Sequence, residues 1–499
     1  MARSGKPTLA GLDLNATRAR GVGATIDAQP LALLLEGQGE ELPLALSLEN
    51  RHAEVGSAGL SLCRRLPHFV CLDFLGQLGT DRQWSAGRHR LDAARALGLV
   101  FEHVRPTLAA HQGISFTLPA YLSTEQVELA AAIAIRAKLP LLGTLPTPLA
   151  AALTAHAEQP WIGAALIADA DEHALTWSIV HVEGQGARLA ASETWPLLGL
   201  RFWRERLLDV LADRCVRQSR RDPRDCGDAE QSLYDQIEGI LDVCRSGQMA
   251  EAAVQTTQWY QNLIVQPGEL AAACASLTRQ TVDAMTALQT ATVRSGGTGA
   301  VLLTDAVARL PGVAAAVEAV VSPPTASEAD SSDDFSAGLL DAMHVERASL
   351  YLLAADAAAR AAHALAGRWQ RHELPSGHID AALLLPPPSP NAGPPRLHFH
   401  GQEFVLTATA FTLGRHPDCD LVFDSDLHPT VSARHCEIIQ DRLGFLLRDR
   451  SRHGTLLNDR PVSGPAALHP GDWIRLGPNG PVLRFLGQTP EQRRLMTTA

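Results

Sequence analysis

Residues 386–395 read PPPSPNAGPP, and no other stretch restricts folding as strongly. Proline lacks a backbone donor and has a fixed φ, so this segment cannot join a helix or a central strand and favours an extended spacer. The two sides of the spacer differ in pattern. Before it, strand-like runs such as AALIA and TWSIVHV alternate with Ala/Leu-rich helical periodicity. After it come short alternating segments, LHFH, EFVL, FTLGR, LVF and FLLRD, separated by turn residues, which is an all-β pattern. The expected architecture is multidomain: an α/β domain over 1–385, a linker at 386–395, a β-sandwich over 396–487 and a tail at 488–499. A second break, SPPTASEADSSDD at 322–334, is acidic and Ser-rich. It reads as a mobile loop within the first domain, because a run taken as helical, RASLYLLAADAAARAAHALAG at 347–367, follows it.

Composition narrows the function classes. With 46% apolar and 19% charged residues, the 499-residue chain can bury ordinary cores. A formal charge of −11 argues against non-specific binding to nucleic acid or a membrane surface, both of which need a basic surplus. No run approaches the roughly 20 apolar residues of a membrane span, and the N-terminus MARSGKPTLAGLDL lacks the apolar core of a signal peptide. Eight cysteines show neither a CxxC pair nor zinc spacing, so they read as reduced thiols in a cytoplasm. No metal site is expected. His398 and His400 share a strand face, but without a third ligand a solvated edge strand is the better reading.

Specific binding of a phosphorylated side chain needs a guanidinium facing the phosphate, further donors for its remaining lone pairs, and rigid loops to hold both. Candidates stand just after strands: Gly414 and Arg415 after FTL, Ser432, Arg434 and His435 in TVSARHCEI, Gly454, Thr455 and Asn458 in SRHGTLLN. These motifs, followed by PGDWIRLG, resemble the forkhead-associated (FHA) signature of GR, SxxH and NGTxxxN over nearly the whole final domain. The resemblance implies that Arg415 and Ser432 bind the phosphate of phosphothreonine and that Arg434 adds charge. Gly414, His435 and Gly454 would structure the loops, and Thr455 and Asn458 would hold loop geometry or touch the peptide. Two positions depart from the signature: His453 replaces the Asn of NGT, and Ala433 follows Ser432 where many members carry a polar side chain.

The N-terminal segment GLDLNATRARGV at 11–22 reads as strand, turn and strand. With LPAYLSTEQVELAAAIAIRAKLPLLGTLPTPLAAALTAH at 118–156, LIADADEHALTWSIV at 166–180 and VLLTDAVARLPGV at 301–313, it resembles the ATPase domain of the 70-kDa heat-shock (DnaK-type) chaperones. The segment 228–290, read as helical, resembles the subdomain that caps the nucleotide in that family. The resemblance implies a two-lobed, actin-like fold over about 370 residues. In that fold, glycine-rich hairpins bring backbone N–H groups close to the phosphates. Here Asn15, Ala16 and Thr17 stand in the first hairpin, and Asp171, Glu172, His173 and Ala174 in the second. Two carboxylates where a triphosphate would sit are expected to repel it, by about 4 kcal/mol for one charge pair at about 4 Å and an effective dielectric of about 20. The family's catalytic lysine aligns with Leu60, the basic pair of its ExxKR with Leu241 and Asp242, and its GGS with Asp305 and Ala306. Asp13, Thr17, Asp169 and Glu238 remain as a vestigial nucleotide and magnesium cleft; a strand-end Asp is also a common turn cap.

The sequence therefore points to a non-enzymatic signalling scaffold, without catalytic residues or an obligatory cofactor. It would bind phosphothreonine proteins made by a Ser/Thr kinase and would have no nucleic-acid or membrane partner. The alternative is an ATP-binding, chaperone-like ATPase recruited to phosphorylated clients by its FHA domain. A polymerising actin-like element is disfavoured, since filament cycling also needs nucleotide. Two smaller expectations follow. Phosphorylated Thr325 could dock in an FHA pocket, against the plainer reading of a solvated acidic loop, and the basic amphipathic run 201–221 reads as a helix with a core face and a solvated face.

Overall fold

A computed structural model describes residues 8–25, 28–158, 161, 163–183, 186–292, 298–321, 348–366, 378–380, 395–399, 402–406, 410–425, 427–440, 445–458, 460–462, 464–468, 472–478 and 480–486. The acidic segment 322–334 with Thr325, residues 386–394 of the spacer, His400 and the tail lie outside them. The chain divides into two compact units. One comprises residues 1–154, 164–181 and 188–378; the other comprises 155–163, 182–187 and 379–499.

The first unit holds two mixed sheets, each with its own apolar core. In the first sheet the hairpin of Thr8–Leu14 and Arg18–Thr25 is central, and Thr8–Leu14 runs parallel to Gly113–Leu118, which runs parallel to Leu141–Pro146. In the second sheet Gly163–Ala170 lies beside Leu175–Glu183 and runs parallel to Thr298–Leu303. The strands are apolar because they are buried: Ala10, Leu12 and Leu14 in one sheet and Leu166, Ile167 and Ala168 in the other are inaccessible to solvent.

Helices cover these sheets for readable reasons. Thr124–Arg136 starts at a capping box in which Ser123 and Gln126 satisfy each other's backbone N–H. Leu200–Ser219 buries Trp203, Leu207, Leu208, Leu211 and Cys215 along one face, as the amphipathic pattern predicts, and leaves Arg206 and Arg217 exposed, while Arg204 is largely buried. Two expectations are corrected. The run 347–367 is not one helix: Ser349–Leu352 is a strand parallel to Thr298–Leu303, and only Ala357–Ala366 is helical. Segment 228–290 is not wholly helical either, because Ala250–Gln255 and Tyr260–Val265 form an antiparallel hairpin between its helices. Among the described residues no helix is long and apolar enough to cross a membrane.

From Arg396 onward the described residues of the second unit form β-strands and connecting turns. One sheet orders Gln402–Val405, Arg396–Phe399, Val482–Leu486, Trp473–Leu476, Thr455–Leu457 and Arg460–Pro461; the other orders Leu421–Val422, Ala410–Gly414, Cys436–Gln440, Phe445–Asp449 and Ala466–Leu468. Their inward positions, including Leu397, Leu413, Leu447, Ile474, Leu483 and Phe485, form one sealed core. The loops that leave this core carry Arg415, Ser432 and Gly454.

Candidate functional site

Two places carry the residues singled out by sequence. The first is where the two hairpins of the first unit meet. Asp171 closes a tight turn by accepting the N–H groups of His173 and Ala174 at 2.9 and 3.1 Å on Oδ1. Its Oδ2 reaches the other hairpin, accepting the Ala16 N–H at 2.9 Å and the Tyr121 hydroxyl at 2.7 Å. The Glu172 N–H donates to Thr17 Oγ1 at 2.8 Å. Arg204 pairs with Glu172 and, at 2.9 Å, with Glu238, which also meets Arg309 at 3.1 Å. Burial opposes ionisation of Glu238, but the arginines outweigh it and hold the carboxyl below its ordinary range.

The strand-end aspartates are equally engaged. Asp13 accepts the Thr117 hydroxyl at 2.6 Å and faces Arg18 at 3.3 Å. Asp169 accepts the Thr304 hydroxyl at 3.0 Å, while burial and the charges of Asp13 and Asp171 push its carboxyl up to about 7. The two carboxylates expected to repel a phosphate are both engaged by internal partners. Asp171 is satisfied by four donors and Glu172 is neutralised by Arg204, so the hairpins carry an internal anion rather than bare negative charge. Among the described residues no group of three or more His, Cys, Asp or Glu side chains is arranged to hold a metal ion.

The second place is built by three loops of the β-sandwich. His435 is fully buried and stands between them. Its Nδ1 accepts the Ser432 N–H at 3.0 Å, which leaves the proton on Nε2 to donate to the Gly454 carbonyl at 3.2 Å. Burial pushes the His435 imidazole below its ordinary pKa and keeps it neutral. Gly414 has no room for a side chain, since a Cβ there would lie 2.3 Å from the Ala433 carbonyl oxygen. That close approach lets the Arg415 N–H donate to the Ser432 carbonyl at 3.1 Å and the His416 N–H to the Ala433 carbonyl at 2.8 Å. Gly454 adopts φ +81°, which a side chain would strain.

The remaining predicted residues divide by exposure. Arg415 and Arg434 are exposed, and Ser432 is half-buried. Thr455 is 1% exposed and donates its hydroxyl to Asp449 at 2.6 Å, which places it beneath the loop as a brace. Asn458, in the left-handed region at φ 50°, donates to Asp472 at 2.8 Å and accepts the Trp473 N–H at 3.0 Å. Arg434 lies 3.9 Å from Asp418.

The profile of the FHA domain family matches residues 411–477. The second unit carries an FHA domain. Among curated relatives, the Glycogen accumulation regulator GarA of Mycolicibacterium smegmatis is 37% identical over 105 residues, covering 21% of this chain and 57% of GarA. GarA of Mycobacterium tuberculosis is 36% identical over 105 residues, covering 21% of this chain and 56% of its own length. The Oxoglutarate dehydrogenase inhibitor of Corynebacterium efficiens is 35% identical over 105 residues, covering 21% of this chain and 63% of its own length. The chain thus spans little more than half the length of the relatives it matches.

Sequence reasoning missed one residue of this FHA site. The Arg452 N–H donates to Ser432 Oγ at 3.1 Å, so the third loop is tied directly to the serine expected to meet phosphate. The bond also uses the hydroxyl as an acceptor and leaves its proton free to donate elsewhere. A loop arginine before His453 has no signature of its own; its importance is visible only through this contact.

Proposed function

We propose that this protein is a phosphothreonine-reading scaffold, in which the FHA domain binds phosphorylated partner proteins and the first unit is a platform of actin-like, heat-shock-ATPase-like descent without nucleotide chemistry. The observation that carries the first half is the convergence at Ser432: its carbonyl and hydroxyl fix the backbones of two loops, and Arg415, whose backbone N–H makes the first of these bonds, is exposed with no acceptor for its guanidinium among the described residues. An exposed, unpaired arginine whose backbone is bonded to a serine with a free hydroxyl proton is suited to a phosphate monoester. Charge-assisted bonds of about 1.5–3 kcal/mol each would give micromolar affinity after desolvation. The partners are proteins phosphorylated on threonine by a Ser/Thr kinase, in a cytoplasmic setting where the eight free thiols of this chain stay reduced.

The support for the second half is topological and chemical. Each half of the first unit places a strand–turn–strand hairpin beside parallel strands, as the resemblance to the chaperone ATPases implies. The Ala16 N–H, which would face a phosphate in such a hairpin, is occupied by Asp171, and Thr17 is occupied by the Glu172 N–H. These residues do not fit ATP with magnesium, so neither is a cofactor in this reading and the unit is not an enzyme.

Calorimetry with a phosphothreonine peptide pool and its unphosphorylated counterpart tests the first half. Binding confined to the phosphorylated pool and abolished by Arg415→Ala is expected; equal binding of both pools refutes it. A thermal-shift titration with Mg-ATP tests the second half. No shift is expected, whereas a site filled at 100 times its Kd would add about 2.7 kcal/mol and favour the chaperone-like ATPase instead.

A further inference from the structure

We infer that Arg452 supplies the second guanidinium of the phosphate site, the part that the family resemblance implies for Arg434, and so sets the site's preference for a dianionic phosphate. The inference rests on the phosphothreonine reading above and assigns a residue within it.

The argument begins with charge. A phosphothreonine carries about −1.5 to −2 near neutral pH, so Arg415 alone leaves a residual charge of roughly one-half to one unit in the site. A second cation is needed, and the arginines of the FHA domain differ in whether they are free to provide it. Arg396 pairs with Glu403, Arg448 and Arg450 pair with Glu437, and Arg475 donates to the Pro478 carbonyl. Arg434 lies against Asp418, which also faces His416 at 3.4 Å. Neither the Arg415 nor the Arg452 guanidinium has an acceptor among the described residues. These two unpaired arginines are the two whose backbone amides bond to Ser432, one to its carbonyl and the other to its hydroxyl, both at 3.1 Å. Unpaired arginines on this surface would otherwise be expected to scatter; here both bracket one serine.

Geometry gives the same assignment. The Arg452 amide is in hydrogen-bond contact with Ser432 Oγ, so the residue begins beside the place where a phosphate oxygen would sit, and it is exposed. Two arginines whose backbones meet at one serine can bring two positive charges to one phosphate, which offsets their mutual repulsion on binding. A guanidinium also offers paired donors to a phosphate, which an amide or a hydroxyl at the neighbouring position does not. The loss of the expected Asn at His453 and of a polar side chain at Ala433 leaves this site short of neutral donors, and Arg452 makes up the deficit with charge.

The test uses the full chain and a degenerate nonapeptide pool with a fixed central phosphothreonine, beside the same pool unphosphorylated. Calorimetry is run on wild type, Arg452→Ala, Arg452→Lys, Arg434→Ala and Arg415→Ala, with circular dichroism to verify folding. Arg452→Ala is expected to weaken the phosphorylated pool at least tenfold and to flatten the dependence of affinity on salt. Arg452→Lys is expected to recover most of the salt dependence but only part of the affinity, and Arg434→Ala to cost less than threefold. The inference is overturned if Arg452→Ala binds within threefold of wild type, or if Arg434→Ala carries the larger loss. If wild type itself fails to distinguish the two pools, the phosphothreonine reading fails and this assignment fails with it. If wild type distinguishes them and Arg415→Ala is silent for binding while Arg452→Ala is not, Arg452 stands as the principal cation.

Discussion

Replacing Asp171 with alanine isolates the internal anion of the first unit. The side chain accepts four hydrogen bonds, two from its own turn and two from the opposite hairpin region, namely the Ala16 N–H and the Tyr121 hydroxyl. The turn amides can relax toward solvent with the turn. Ala16 is only 3% exposed, so its amide has nowhere to find water. Hydrogen bonds to a charged acceptor contribute about 1.5–3 kcal/mol each, so the two cross-hairpin bonds set an upper figure of about 3–6 kcal/mol. Burial of the carboxyl, which pushes its pKa above the ordinary range, offsets part of that gain. A net loss of about 2–4 kcal/mol is expected. In urea, with a slope of about 3 kcal/mol per molar for a unit of this size, the midpoint should fall by about 1 M. Asp171→Asn should cost less, because its carbonyl oxygen still accepts while its amide faces a donor. A fall below about 0.2 M for Asp171→Ala would refute the claim that this carboxylate joins the two hairpins.

Three further outcomes are expected. Gly414→Ala should force apart the Arg415 and Ser432 loops, because its Cβ would lie 2.3 Å from the Ala433 oxygen; calorimetry should show at least a tenfold loss of phosphopeptide affinity, with about 1–3 kcal/mol of destabilisation in urea. His435 is held neutral by burial, so its native pKa lies below its unfolded value. The unfolded chain then binds the proton first, and FHA stability is present above about pH 6.5 and falls with decreasing pH by at most about 1.4 kcal/mol per unit, until the native pKa is reached; urea titrations at pH 7.5 and 5.5 measure this loss. Arg204→Ala should strip Glu172 of its counter-charge and destabilise the first unit by about 3–5 kcal/mol, read as a drop in the melting temperature.

Much of the frame was legible before the structure. The Thr8–Thr25 hairpin was marked by apolar runs around Asn15–Thr17, and the β-sandwich by its alternating strands and by glycines where loops approach one another. Ser349–Leu352 was hidden because an Ala-rich helix follows within five residues, and local periodicity blended the two. The hairpin at 250–265 did carry a signal: Ala250, Ala252 and Val254 alternate with exposed or partly exposed neighbours, a period of two within an otherwise helical region. The role of Asp171 was not legible, because a sequence shows the charge of a carboxylate but not the donors that fold around it. Arg452 was missed for a related reason. Its significance lies in a backbone bond to a residue 20 positions away, which no local motif encodes.

His435 and Thr455 brace the recognition loops from beneath, and they do so through main-chain groups and the carboxylate of Asp449. The side chains at 415, 433, 452 and 453 contribute nothing to that bracing. A lineage carrying this domain can therefore exchange its outward residues and change its ligand preference without refolding the support, much as a tool holder accepts different bits. The departures at Ala433 and His453 are the kind of variation such a holder permits.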